Sequence, residues 1–280
     1  MRKNKFGLVT LFSMLALSLC ATATFAYASW QFNKDETVND QVNIGIPTWD
    51  FGIIQPDDVI TVNNDGTITI NGKPAEDAEV TYPKGEEPET HGGSITYNIG
   101  LVDGEVVVTS YEATNIASTY VWWSSTSTVS FPESVIINGQ ELKIIGISEP
   151  VTIGVDKEAF TSPTVDIVVP EGYKYVCDEA FKNIVSEGFS VFSSTTFNIT
   201  LPSTLNYLGN QSLNVNLGSN TNVNIIYKGS KEQFKALVDN SKAKYGSSYN
   251  FLYNATGNVT IQCSKGSIVY TKNGEYKSGL

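Results

Sequence analysis

Histidine is almost absent from this sequence, whose 280 residues contain only His91. Histidine is the side chain most often used as a general acid or base and as a metal ligand. The sequence also has no His-Glu-x-x-His run, no Gly-x-Ser-x-Gly segment and no glycine-rich phosphate loop. We therefore predict a protein without catalytic residues, metal ligands or a cofactor.

Cysteine is scarce as well, with three residues in the chain. Cys20 lies in the apolar segment near the start of the chain, so only Cys177 and Cys263 follow it. A disulfide between these two is compatible with an exported protein, but two cysteines do not make a disulfide-dense scaffold. We interpret both as small buried hydrophobic residues, because Asp178 and Glu179 would raise the pKa of a thiol at Cys177 and make it a poor nucleophile.

Basic residues are the third deficit, with 18 Lys and Arg against 29 Asp and Glu. Three of the 18 lie within the first five residues, and an uncharged apolar stretch over 6–28 follows and ends in Ala26-Tyr27-Ala28. This arrangement is typical of a secretory signal peptide, and we predict cleavage after Ala28 and a secreted or cell-surface protein. The remaining chain has 15 basic and 29 acidic residues, a net charge of −14. Such a chain repels nucleic acids and anionic membranes.

Two alternatives remain for this N-terminal segment. About 20 apolar residues suffice to span a bilayer, so the segment is also compatible with an uncleaved membrane anchor. A lipoprotein attached through Cys20 is the other alternative, although Leu19 stands where such a site needs a small residue. No second apolar stretch of that length follows, and we predict no membrane insertion after cleavage.

The residues after the signal segment are patterned as β-strands. Residues 59–62 and 67–70 alternate apolar and polar side chains on either side of Asn63-Asn-Asp-Gly66, which predicts a hairpin. The oxygen-rich turn is also compatible with a calcium loop, but it lacks the spaced ligands and closing Glu of an EF-hand. Residues 82–93 are rich in Pro, Gly and Glu and are predicted to be a linker, with His91 as an exposed loop residue.

The second half of the chain is periodic. When residues 165–170 are set over 197–202, an offset of 32, the apolar positions and the proline coincide. Three alternate apolar residues give a strand one inward face, and proline ends the strand because it has no N–H to donate. One such unit cannot bury its own inner face, so neighbouring units are expected to stack.

These segments resemble the leucine-rich repeats of the BspA-like surface-protein family. The resemblance rests on Val-x-Ile-x-x-Pro-Glu-Gly with Asp-Glu-Ala-Phe181, and on Ile-Thr-Leu-Pro-Ser-Thr-Leu205, and it covers roughly residues 105–265. The sequence departs from the usual repeat at Cys177, which replaces a glycine, and at Ser212-Leu213, which replaces Ala-Phe. The resemblance implies adhesion or host interaction. Separately, the junction over 25–30 resembles the export junction of camelysin-like and TasA-like biofilm proteins.

We therefore predict a mainly β fold: a short leucine-rich-repeat solenoid with a capping helix, preceded by a hairpin-rich β segment. The helix follows Ser230, which forms a capping box with Gln233, and Phe234, Leu237 and Val238 supply its apolar face. The predicted segments are a signal peptide (1–28), an N-terminal β segment (29–81), a linker (82–93), a repeat domain with a C-terminal cap (94–265) and a C-terminal tail (266–280).

The function expected from the sequence is binding rather than catalysis. The outward-facing strand positions Asp166, Asn198 and Thr200 and the aromatic run Tyr120-Val-Trp122-Trp123 are the candidate ligand-binding residues. The aromatic run is also compatible with a buried lid over the first repeat. The expected partner is a host or bacterial surface protein or a glycan. The rival functions are a self-associating envelope or biofilm-matrix protein and a carbohydrate-active enzyme, which would need two facing carboxylates.

Overall fold

A computed structural model of the protein describes residues 54–55, 57–117, 126–156, 162–187, 194–218 and 220–280. All of them belong to one compact unit, Asp50–Leu280. Of the described residues, 48% lie in strands and 7% in a helix, so the fold is mainly β. The predicted signal peptide lies outside the described residues, and the boundaries predicted after residues 81, 93 and 265 fall inside this unit.

The described elements comprise 22 strands and one helix, and most of the strands are short. In chain order they are β1 (Ile60–Val62), β2 (Ile68–Ile70), β3 (Lys73–Pro74), β4 (Ala78–Thr81), β5 (Ser94–Val102), β6 (Glu105–Ile116), β7 (Thr126–Ser130), β8 (Ser134–Ile137), β9 (Gln140–Lys143), β10 (Gly146–Ile147), β11 (Thr152–Asp156), β12 (Thr164–Val168), β13 (Tyr175–Val176), β14 (Asn183–Glu187), β15 (Thr195–Leu201), β16 (Tyr207–Leu208), β17 (Leu213–Asn214), β18 (Thr221–Tyr227), α1 (Lys231–Tyr245), β19 (Leu252–Tyr253), β20 (Val259–Cys263), β21 (Gly266–Tyr270) and β22 (Tyr276–Ser278).

The largest sheet has ten strands and mixes both strand directions. Along its main path the order is β16-β13-β10-β6-β5-β1-β2-β3, and β11 and β14 extend it from β6. The predicted hairpin is confirmed as β1 and β2, which pair antiparallel across the Asn63–Gly66 turn. Within this turn, the Asp65 carboxylate accepts hydrogen bonds from the backbone and hydroxyl of Thr67, which lower its pKa.

The second sheet has seven strands in the order β22-β21-β20-β18-β15-β12-β7. The strands from β7 to β20 are parallel, whereas β21 and β22 fold back antiparallel. The offset of 32 residues noted in the sequence corresponds to pairing between β12 and β15, in which Val165 lies beside Phe197 and Ile167 beside Ile199. These four apolar side chains point inward and are fully buried.

Two smaller sheets complete the described strands. β4 pairs with β8, and β8 pairs with β9, whereas β17 pairs with β19. The pairing of β4 with β8 joins chain segments on either side of residues 82–93. These residues also make contacts of their own: Glu89 forms a β-bridge with Thr128, and Glu86 lies 2.8 Å from Lys228 Nζ.

The predicted fold class is wrong in its architecture. Instead of a short leucine-rich-repeat solenoid preceded by a separate hairpin-rich segment, the described residues form four sheets, two of them mixed, with one helix. The hairpin does not precede the main body, because β1 pairs with β5 and becomes part of the ten-stranded sheet. The physical reason is that apolar alternation shows which strand face is buried but does not determine which strands become neighbours.

Two groups of aromatic side chains fill the core. The first surrounds Phe131, whose ring lies 4.5 Å from Tyr111 and 6.4 Å from both Tyr173 and Phe181. The hydroxyls of Tyr111 and Tyr173 donate to the backbone oxygens of Ser130 and Pro132, so burial leaves neither hydroxyl without a partner. Burial raises the pKa of both tyrosines.

The second aromatic group lies under the helix. Phe234 of α1 packs edge-on against Tyr227, Phe251 and Tyr270. The predicted helix start is confirmed, because Ser230 accepts from the backbone of Gln233 and the Gln233 side chain accepts from Ser230 N–H. The predicted apolar face is confirmed as well, and α1 packs against β16 and β21.

Candidate functional site

The sequence-predicted binding residues fall into two groups. Asp166, Asn198 and Thr200 lie on the outward side of the seven-stranded sheet, between inward-pointing apolar neighbours, and each is partly buried. Tyr120, Trp122 and Trp123 lie outside the described residues, so their proximity to this surface stays a prediction. Binding by any of these six side chains also stays a prediction.

The outward positions of β7, β12, β15 and β18 form regular cross-strand rows. One row is Thr126, Thr164, Thr196 and Asn222, and the next is Thr128, Asp166, Asn198 and Asn224. We call these eight residues together with Thr200 the polar face; the neighbours of Thr200 in its own row, Val168 and Ile226, are apolar and bound the face. Parallel strands lie about 4.8 Å apart and alternate residues along a strand about 6.6 Å apart, so the polar face presents its groups as a regular lattice.

Three of the four residues in the second row are joined by side-chain hydrogen bonds. Asn224 Nδ2 donates to Asn198 Oδ1 at 2.8 Å, and Asn198 Nδ2 donates to Asp166 Oδ1 at 2.7 Å. We call this chain of three residues the amide ladder. Because each amide is fixed by its neighbour, the row has a defined direction, from donor at Asn224 to acceptor at Asp166.

The chain contributes a further contact at one edge of the polar face. β7 is the edge strand of its sheet, and the β-bridge from Glu89 to Thr128 lies on this edge. His91 is 31% exposed, and its Nε2 lies 2.9 Å from the backbone oxygen of Thr126. The predicted linker residues Glu89 and His91 therefore contact the strand that bounds the polar face.

A cleft of about 620 Å³ forms a second candidate site, which sequence reasoning did not predict. Its acidic lining comes from Asp103 and Glu105 at the β5–β6 turn, Glu149 after β10 and Asp178 after β13. All four side chains are exposed. They come from three separate parts of the chain, which explains why no sequence motif marks the cleft.

The aromatic lining of the cleft consists of Tyr175 from β13, Tyr207 from β16 and Tyr245 at the end of α1. Lys244 also lines the cleft, and its ammonium lies over the Tyr207 ring at 4.5 Å and 5.4 Å from the Tyr245 ring centroid. Both distances are within the range of a cation–π interaction. The two rings therefore hold the ammonium group of Lys244.

The negative charge of the cleft acts on neighbouring groups. Burial, followed by the charges of Glu105 and Asp103, raises the pKa of Tyr175 to about 12. Burial, followed by the charges of Glu149 and Asp178, raises the pKa of the Cys177 thiol to about 12. Both shifts have the sign that a negative potential produces, because it disfavours a further anion.

Cys177 and Cys263 are both free thiols, so the disulfide left open by the sequence does not form in this structure. Among the described residues, no three His, Cys, Asp or Glu side chains come together as ligands for a metal ion. Within the same residues, no helix has the length and apolar character needed to cross a membrane.

Comparisons with known proteins give no relatives for this chain. No protein-family model matches it, and neither the curated proteins nor the solved structures include a significant match.

Proposed function

We propose that the protein is an exported surface or secreted binding protein, and that the polar face is the surface with which it binds a glycan. The observation that carries the proposal is the register of the rows, in which four neighbouring strands present Thr, Asn and Asp side chains at matching positions. Hydroxyl and amide groups both donate and accept hydrogen bonds, as the hydroxyls of a sugar chain do.

The composition of the polar face distinguishes it from an ordinary solvated surface. Of its nine residues, Asp166 alone is charged, and none is Lys, Arg or Glu, although 17% of the chain is charged. Short side chains lose less conformational entropy on binding than Lys or Glu. The amide ladder fixes two of the amides in advance, and such pre-ordering reduces the cost of binding.

The location predicted from the sequence agrees with this function. A signal peptide would deliver the chain outside the cytoplasm, where glycans and surface proteins are exposed. Trp122 and Trp123 precede β7 in the sequence, and exposed aromatic rings bind sugar faces. Adhesion is also the role that the family resemblance implied.

The test is a binding screen of the purified, labelled protein on arrays of glycans and of host extracellular proteins. We expect saturable binding to glycans that is lost in Thr196→Arg, because the long cationic side chain disrupts the centre of the polar face without removing a residue of the amide ladder. The control is Gln140→Arg, which places the same side chain on exposed β9. Binding unchanged in Thr196→Arg, or binding to proteins alone, would contradict the proposal.

The rival functions remain open to direct measurement. Concentration-dependent assembly in light scattering would favour a self-associating envelope or matrix protein. Release of sugars from a glycan that the protein binds would favour a carbohydrate-active enzyme. A monomer that binds a glycan without cleaving it is the result that our proposal requires.

A further inference from the structure

The cleft lined by Asp103, Glu105, Glu149 and Asp178 carries negative charge that the protein does not neutralise with ion pairs. Elsewhere in the described residues, Glu133 and Glu141 pair with Lys143, and Glu179 pairs with Lys182. None of the four cleft carboxylates forms an ion pair within the described part of the chain. A cation entering the cleft would be attracted by these carboxylates, which have no ion-pair partner among the described residues.

Lys244 shows which kind of cation the aromatic side of the cleft accepts. Its ammonium lies over the Tyr207 ring and near the Tyr245 ring. An alkylammonium group arriving from solvent would compete with Lys244 for these ring faces and would in addition meet carboxylates that Lys244 leaves without an ion pair. Tyrosine faces combined with carboxylates recognise ammonium groups in many binding sites.

The arrangement of the carboxylates argues against a metal ion as the ligand. A calcium or magnesium ion requires several oxygen ligands converging at short distance, and no three acidic side chains in the described residues do so. The cleft is instead large enough, at about 620 Å³, for an extended organic molecule. Anionic ligands are disfavoured by the four carboxylates.

We infer that this cleft is a binding site for alkylammonium groups, with Tyr207 and Tyr245 contacting the ammonium and Glu149 and Asp178 supplying opposite charge. Two sources have this chemistry: a free polyamine and the lysine side chain of a peptide. The inference does not depend on the proposed glycan binding, since the cleft and the polar face share no residue.

The test uses isothermal titration calorimetry of the purified protein with 1,6-diaminohexane at low ionic strength. The matched control ligand is 1,6-hexanediol, which has the same carbon chain without the ammonium groups. We expect saturable binding of the diamine that weakens as salt is added, and no binding of the diol. Equal binding of diamine and diol, or no binding of the diamine, would overturn the inference.

Substitutions in the cleft then test which side chains bind the diamine. We expect Glu149→Gln to raise the Kd for the diamine about three- to tenfold, because one charge of the site is lost. Tyr207→Leu is expected to raise it about threefold through loss of a ring face, and Lys244→Met to lower it about threefold by removing the competing ammonium. Glu133→Gln removes an acidic charge that does not line the cleft and should leave the Kd unchanged.

Folding failure is distinguishable from loss of binding, because the substituted cleft side chains lie at the surface and each variant's thermal unfolding is measured in parallel. A Kd that changes equally in Glu149→Gln and Glu133→Gln would overturn the assignment, since the effect would then come from net charge alone. Titration with a lysine peptide blocked at both termini separates the two sources. Tighter binding of the peptide than of the diamine indicates a protein partner, and the reverse order indicates a free amine.

Discussion

The polar face and the cleft differ in how their polar side chains are paired. In the polar face, Asn224, Asn198 and Asp166 are hydrogen-bonded to one another, and only one of the three is charged. In the cleft, four carboxylates line one cavity without an ion pair in the described residues, and the Lys244 ammonium lies over tyrosine rings instead. Three polar side chains of the first surface are therefore hydrogen-bonded to one another, whereas the carboxylates of the second have no ion-pair partner among the described residues.

The contrast between the two surfaces concerns where the acidic charge of the chain lies. A net charge of −11 implies nothing about where the charge lies. The polar face contains one charged residue, Asp166, and therefore suits a neutral, hydroxyl-rich ligand. The cleft is lined by four carboxylates and therefore suits a cation. If the two regions differ in reactivity and stability as they do in composition, substitutions in the cleft and in the polar face should have distinct effects.

The strongest predicted change concerns the reactivity of Cys177, whose thiol lines the cleft. Its pKa is raised from 9.0 to about 12 by burial and by Glu149 and Asp178. The thiolate is the reactive form, so at pH 8 we expect alkylation by iodoacetamide at least about a hundredfold slower in the folded protein than in urea. Mass spectrometry of timed samples between pH 7 and about pH 11 measures the rate at each cysteine separately.

The variant Glu149→Gln tests whether the charge of Glu149 contributes to the slow alkylation of Cys177. Removing that charge lowers the pKa of Cys177 and should accelerate its alkylation, while Cys263 reacts as before. Alkylation of Cys177 at the same rate in folded and unfolded protein would show that the cleft does not impose this potential.

The next effect concerns the amide ladder. Asn198→Asp replaces a donor by a carboxylate beside Asp166, whose Oδ1 lies 2.7 Å from Asn198 Nδ2. We expect the free energy of unfolding to fall by about 2 kcal/mol at pH 7, since a hydrogen bond is exchanged for a like-charge contact. Urea unfolding measures it, and the loss should shrink below about pH 4, where carboxylates take up protons.

The control for this substitution is the exchange Asp166→Asn with Asn198→Asp in one protein. The new Asn at position 166 can donate to the new carboxylate, which also still accepts from Asn224. Stability should therefore return close to that of the original protein. A double variant as unstable as Asn198→Asp alone would show that the ladder does not set the order of these residues.

The sequence predicts those parts of the fold that depend on residues close together in the chain. The β1–β2 hairpin and the start of α1 were predictable because the turn at Asn63–Gly66 and the capping box of Ser230 and Gln233 act within a few residues. The sheet architecture was not predictable in the same way. Pairing of β1 with β5 and of β4 with β8 depends on distant partners, whereas alternation alone indicates only the buried face.

The same distinction holds for the candidate sites. Asp166 and Asn198 were placed on an outward face because inward apolar residues flank them in the sequence. Their direct hydrogen bond follows from the parallel register of β12 and β15. The cleft was missed because Glu105, Glu149 and Tyr207 come from separate segments, and their neighbours in the sequence carry no motif.

A smaller effect is expected at the donor end of the amide ladder. Asn224→Ala removes one hydrogen bond, the donation from Nδ2 to Asn198 Oδ1, and leaves the contact between Asn198 and Asp166 in place. Because Asn224 is exposed and water can replace it, we expect a loss of about 0.5–1 kcal/mol in urea unfolding. A loss as large as that of Asn198→Asp would indicate that the ladder acts as one cooperative unit rather than as separate bonds.

The last prediction compares two carboxylates that differ in pairing: Glu149 is exposed without an ion pair in the described residues, and Glu133 is half-buried and pairs with Lys143. Glu149→Gln removes one negative charge from the cleft and should raise the free energy of unfolding by roughly a few tenths of a kcal/mol. Glu133→Gln removes a partner of Lys143, at 3.2 Å, and should lower it by a similar amount. The result that tests the comparison is that the two changes in unfolding free energy have opposite signs. Both changes should become smaller at high salt, because salt screens charges at the surface. If the two substitutions shift the urea midpoint in the same direction, the cleft carboxylates do not repel one another in the folded protein, and the contrast between the two regions fails there.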